Sequence, residues 1–115
     1  MSINDEHISS IEKIMQEFIE EIRPPEEIRA QLDMGYKIEA QSVFIFEIRP
    51  QWNDPTIIRE YPLAKATFVK TQNIWKIFWK RADGSWHGYT PAPEVKTLQE
   101  FTEVVREDKH HCFWG

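Results

Sequence analysis

Asp108, His110, His111 and Cys112 stand within five consecutive positions near the end of the chain. Each is a residue type that binds metal ions. In an extended segment His110 and Cys112 point one way and His111 the other. A zinc site on Asp108, His110 and Cys112 would then need a ligand from elsewhere, such as His87. The chain has neither a C-x-x-C nor an H-E-x-x-H spacing, so the usual sequence signs of zinc are missing. The competing reading is a tail held by Phe113 and Trp114 packing into the core, with Cys112 as a small buried hydrophobe. A Cys112–His110 nucleophile pair has no identifiable orienting acid or oxyanion donor beside it. An anchored tail over 108–115 is the expectation, and no cofactor is expected.

Other reactive groupings are thinner. Glu20-Glu21, Glu26-Glu27 and Glu103 with Glu107 have the spacing of solvated helix faces. Four glycines, none in a rich loop, leave no phosphate cradle. Residues 50–62, PQWNDPTIIREYP, form the longest stretch without a periodic signal. Long loops in compact domains are often functional, and this one offers Trp52, Asp54 and Arg59. The plainer reading is a connection across the sheet, with Trp52 plugging the core edge.

Charge is divided unevenly. Residues 1–33 hold nine acids and three bases, whereas residues 63–90 hold five bases against the single acid Asp83. Those bases lie in segments that read as strands. The organising stretch is IWKIFWKRADGSWHGY, residues 74–89, with three of the five tryptophans. Asp83-Gly84 suits a tight hairpin turn. A two-residue turn there pairs Trp79 with Gly88 and puts Trp75, Ile77, Trp79 and Trp86 on one face. A two-residue turn at Thr71-Gln72 pairs Phe68 with Trp75, Ala66 with Ile77 and Ala64 with Trp79. Small residues then face large ones, and a slip by one would exchange core and solvent. The second face gathers Lys65, Lys76, Phe78, Lys80, His87 and Tyr89. Cations beside exposed rings attract an anionic, planar or nucleotide-like ligand. Lysines on a sheet also deter aggregation without any ligand.

These strands must be positioned by the rest of the chain. Ile8, Ile11, Met15, Phe18, Ile19 and Ile22 recur at helical spacing, which predicts an amphipathic helix over 4–23 that covers the apolar sheet face. Pro24-Pro25 ends it and opens a short helix over 25–32, with Gly35 as a stop. Residues 36–40 and 43–49 alternate as strands, followed by strands at 63–70, 74–82 and 85–90. Thr97 and Glu100 have capping-box spacing before a helix over 97–107. The expected fold is α+β: one domain, residues 1–115, with a five-stranded, mainly meander antiparallel sheet. Its N-terminal and C-terminal helices pack on one face.

With 115 residues, 41% hydrophobic and 13% aromatic, the chain is long enough for one core. One cysteine excludes an intrachain disulfide. No leader-like segment or membrane-length apolar run is read, so a cytoplasmic protein without a membrane partner is expected. A net charge of -5 argues against general duplex DNA binding.

Arg49-Pro50-x-Trp52-x-Asp54-Pro55, the Trp75, Trp79, Asp83, Trp86, Tyr89 series, Pro91-x-Pro93 and the ending Asp108 to Cys112-Phe113-Trp114-Gly115 together resemble a family of small bacterial proteins. That family is known as domain-of-unknown-function family 3024, and the resemblance covers most of residues 34–115. It implies bacterial origin and a stand-alone domain, and it transfers no active site. The first functional expectation is therefore a non-catalytic binding or interaction module using the basic, aromatic sheet face. The second is a small enzyme, with a site at the 50–62 loop plus His87 or the Cys112 tail. The third is a structural homodimer, against a monomer with an acidic ligand or protein partner.

Overall fold

A computed structural model of the chain describes residues 5–81, 83–109 and 113. Helix α1 runs over Asp5–Ile22. Its apolar stripe is buried as periodicity requires: Ile11, Met15, Phe18 and Ile19 are core residues, flanked by Ile8 and Ile22. Pro24 and Pro25 end it. The expected second helix is only a 3-10 turn, Glu26–Ile28. Eight residues give too few hydrogen bonds to offset the cost of nucleating a helix. The chain enters strand β1 at Asp33, so Gly35 is a strand residue and not a helix stop.

The strands are β1 (Asp33–Glu39), β2 (Ser42–Gln51), β3 (Asp54–Val69), β4 (Ile74–Lys80), β5 (Trp86–Gly88) and β6 (Glu94–Val95). They form one antiparallel meander in the order β1-β2-β3-β4-β5, and β6 continues beside β5 on the free edge of β4. Helix α2, Leu98–Glu107, follows. Both helices pack on one face of the sheet, as expected. Ile11, Met15, Phe18, Phe101 and Val105 meet Val43, Ile45, Ala64, Ala66, Trp75 and Ile77. No described helix is long and apolar enough to cross a membrane.

The β3–β4 register is the one that small-against-large pairing selects: Ala64 opposite Trp79, Ala66 opposite Ile77 and Phe68 opposite Trp75. The β4–β5 register differs by one residue. Lys80 pairs with Trp86, Trp79 with His87 and Phe78 with Gly88. The cause is the loop. Arg81 N–H donates to the Ser85 carbonyl, and Gly84 N–H to the Arg81 carbonyl. Three residues are thereby enclosed, with Gly84 at φ 80°. A three-residue loop closed by a left-handed glycine is the next commonest hairpin after the two-residue turn. Trp86 consequently leaves the tryptophan face. The expectation that Trp79 and Trp86 share a face is overturned.

The 50–62 stretch is not a loop. β2 and β3 continue as a two-stranded ribbon that turns at Trp52-Asn53. The Asp54 carboxylate starts the return strand by accepting from Thr56 N–H (3.2 Å) and Oγ1 (2.6 Å). Trp52 is 92% exposed at the tip and plugs nothing. A register shift hides the ribbon from periodicity: Ile45 faces Ala64, but Phe46 faces Pro62, leaving Leu63 as a bulge.

Local chemistry fixes the ends. Thr97 and Glu100 form the reciprocal capping box, with Glu100 N–H on Thr97 Oγ1 at 3.2 Å and Thr97 N–H on Glu100 Oε1 at 3.1 Å. Thr97→Ala should lower stability by about 1 kcal/mol, read as a lower urea midpoint with an unchanged slope. Asp108 caps α2 in the left-handed region, φ 40°. Its carboxylate accepts Phe113 N–H at 3.1 Å. Phe113 is buried against Tyr89, with ring centroids 4.8 Å apart. Phe113 itself is therefore held against the end of α2 and Tyr89. The expectations for His110, Cys112 and Trp114 lie outside the described residues.

Arg23 ties the end of α1 to the start of β1. Its Nε and a terminal guanidinium nitrogen donate to the two Asp33 carboxylate oxygens at 2.9 and 2.8 Å. This fork holds the Asp33 carboxyl below its ordinary value of 3.8. Stability from a lowered carboxyl pKa is present above the unfolded-state value and is lost as pH falls through the folded-state value. Arg23→Gln should therefore destabilise the protein near neutrality. The gap from the parent should close as pH drops below about 4, in thermal melts run across that range.

Candidate ligand-binding face

The sheet face turned away from the helices is aromatic and cationic. One row crosses it at a single level: Lys37 of β1 pairs with Phe44, Phe44 with Lys65, Lys65 with Phe78, and Phe78 with Gly88. Cation and ring alternate from strand to strand. Beside the row, Lys80 pairs with Trp86. The Lys65 ammonium lies 4.7 Å from the Phe78 ring centre, 5.0 Å from Trp86 and 5.9 Å from Phe44. Lys80 lies 5.1 Å from Trp86, and the Phe44 and Trp86 rings meet edge-on at 5.9 Å. Each cation–ring contact at such a half-exposed site is worth about 0.5–1 kcal/mol.

The two ends of the row differ in charge. Lys37 is compensated by Glu39 at 3.5 Å and Glu60 at 3.8 Å. Among the described residues no carboxylate lies within 4 Å of the Lys65, Lys76 or Lys80 ammonium. Partial burial, and then repulsion from Lys80, pushes Lys65 below the ordinary lysine range. Two ammoniums thus share one aromatic surface, and Lys65 carries a cost that a nearby anion would relieve.

Gly35 keeps the β1 side of this face level. It sits opposite Phe46, whose ring lies across it. A Cβ at Gly35 would come within 2.8 Å of Phe46 Cε2 and 3.3 Å of Ile48 Cδ1. Gly35→Ala should therefore cost about 1–3 kcal/mol by overpacking. Gly88→Ala, which meets nothing within 4 Å, is the control. The comparison is read from paired melting temperatures.

Of the residues expected on this face, Lys65, Lys76, Phe78 and Lys80 are there. His87 and Tyr89 are not. The shifted register sends His87 to the other face beside Trp79, where its Nε2 lies 3.1 Å from Asp83 Oδ2. Tyr89 is buried in the core. The face gains Lys37, Phe44, Phe46 and Trp86, which sequence reasoning did not assign to it. The available signal was the alternation of Phe44 and Phe46 with Val43 and Ile45, a run apolar on both faces.

The other candidates are scattered. The ribbon tip is ten residues along β3 from Ala64, the level of His87, or about 33 Å of strand. Trp52 and Asp54 therefore do not share a site with His87. Arg59 donates to Gln51 across the ribbon. Asp108 is spent on the tail. Among the described residues no group of three or more His, Cys, Asp or Glu is placed to hold a metal. A cleft of about 330 Å³, lined by Tyr89, Pro91, Ala92, Val104, Glu107 and Lys109, opens on the helix side, away from the basic face.

A family model described as a domain of unknown function, DUF3024, matches residues 3–115. The chain belongs to the DUF3024 family. The match takes in both helices, the whole sheet and the basic face. Searches of curated proteins and of solved structures found no match. In this DUF3024 chain the case for a site therefore rests on the face itself.

Proposed function

We propose that this protein is a non-catalytic binding module whose basic, aromatic sheet face takes an anionic, planar, nucleotide-like ligand. One observation carries the reading. Lys65 stands among three rings, beside a second uncompensated ammonium, on a face that none of the described helices covers. Rings supply a stacking surface, and the ammoniums supply charge that is not already neutralised. A face kept only for solubility has no need to hold a lysine half-buried among rings at an electrostatic cost. Within the small-enzyme alternative, the distance between the ribbon tip and His87 speaks against pairing those two, and the Cys112 tail lies outside the described residues.

Adenosine triphosphate, inorganic triphosphate and adenosine separate the two contributions. The nucleotide should bind more tightly than either part alone. Its affinity should fall as salt is raised from 20 to 200 mM, since exposed charges are screened over about 10 Å at 0.1 M salt. Calorimetry at both salt concentrations reads this. No heat of binding from the nucleotide at low salt would refute the proposal.

A further inference from the structure

Resting on that reading, we infer that the ligand class is single-stranded nucleic acid, held by backbone charge and base stacking across the strands of the sheet. The observation is the order of the row. Lys37, Phe44, Lys65 and Phe78 are successive cross-strand neighbours on β1, β2, β3 and β4. Adjacent strands lie about 4.8 Å apart, so like groups recur about every 10 Å. A single nucleotide uses one ring and one cation of such a row. A polymer that alternates planar rings with anionic groups uses several at once.

The surroundings fit the same class. The row lies on an open sheet face, whereas the described cleft is on the helix side. An open platform favours an extended strand over a small ligand, which is usually enclosed in a pocket. Duplex is disfavoured, because its stacked bases present no free ring face and the chain is acidic as a whole. Glu39 and Glu60 neutralise Lys37, so phosphates are drawn to Lys65 and Lys80. Phe44, Phe78 and Trp86 supply the stacking surfaces. Lysine, phenylalanine and tryptophan, the types at Lys37, Phe44, Lys65, Phe78, Lys80 and Trp86, carry no fork of donors for a base edge, so binding should be indifferent to sequence. It should also be equal for DNA and RNA strands.

The test is fluorescence anisotropy with labelled oligothymidylate and oligouridylate of one to eight nucleotides. A duplex of eight base pairs, polyphosphate and polyglutamate serve as competitors. Affinity should rise at least tenfold between one and about four nucleotides and change little with sugar. Phe44→Leu and Trp86→Leu keep an apolar group in place and remove the ring. Each should weaken the eight-mer at least fivefold while the variant still melts in one cooperative transition. Length-independent affinity, with adenosine triphosphate still bound, would overturn this inference and leave the nucleotide reading standing. Equal competition by duplex, polyphosphate or polyglutamate would overturn it in the same way. Binding by neither nucleotide nor strand would remove both.

Discussion

A chain carrying Lys65→Gln and Lys80→Gln should bind adenosine triphosphate about 30- to 150-fold more weakly than the parent, with no loss of stability. The binding term follows from two lost charge-assisted contacts of about 1–1.5 kcal/mol each. The stability term has the opposite sign from most lysine contacts. A lysine whose folded-state pKa is depressed destabilises the fold while it is charged, at pH values below that pKa. The penalty is relieved as pH rises through it. Lys65 is such a residue, through burial and then Lys80. Near neutrality the relieved penalty offsets the lost cation–ring contacts, and the double variant should melt close to the parent temperature. A binding loss that tracks a fall in melting temperature would instead mean that the lysines serve the fold. Lys76→Gln is the contrasting variant: Lys76 is exposed where Lys65 and Lys80 are partly buried, so its effect should be smaller.

Phe101→Ala should cost about 3–5 kcal/mol, a large share of the 5–15 kcal/mol that holds a domain of this size. Phe101 is 0% exposed and sits where α2 meets α1 and the sheet. Its removal takes a ring out of the single described core and leaves a void that two helices and a sheet cannot readily close. Phe101→Leu keeps most of the volume and should cost well under half as much. Urea midpoints with equal slopes check both numbers. A loss under 1 kcal/mol for Phe101→Ala would mean that α2 does not pack on the sheet as described. Because the basic face lies on the other side, a variant that still folds should retain its affinity.

Both helix faces were legible because each has one apolar stripe. The β3–β4 register was legible because Ala64 and Ala66 leave room opposite Trp79 and Ile77. The β4–β5 register was not. Asp83-Gly84 suits a two-residue turn and equally supplies the left-handed glycine of a three-residue loop. Hydrophobicity could not choose between them, since Trp86 packs well on either face: against the core, or against Phe44, Lys65 and Lys80. One enclosed residue therefore moved Trp86 onto the candidate site and His87 off it.

The first hairpin was obscure for a related reason. In Val43-Phe44-Ile45-Phe46 both parities are apolar, so alternation does not say which set faces the helices. Packing separates them: Val43 and Ile45 join the core cluster under the helices, while Phe44 and Phe46 lie on the lysine face, where Phe46 is buried across Gly35. The 50–62 stretch lost its periodicity to its three prolines, Pro50, Pro55 and Pro62, and to the adjoining Leu63 bulge. Its exposure on both sides removes the hydrophobic contrast that marks a strand.

The most direct test of the basic face is a map of where a nucleotide touches. Adenosine triphosphate should be titrated at low salt into isotope-labelled protein. Backbone amides, the Trp86 indole N–H and the Lys65 side-chain signals should be followed together. The face described here predicts the largest shifts at Phe44, Lys65, Phe78, Lys80 and Trp86, with His87, Trp52 and the cleft residues Ala92 and Val104 nearly still. Shifts centred on His87, on the ribbon tip or on the cleft, with the Trp86 indole unmoved, would contradict it.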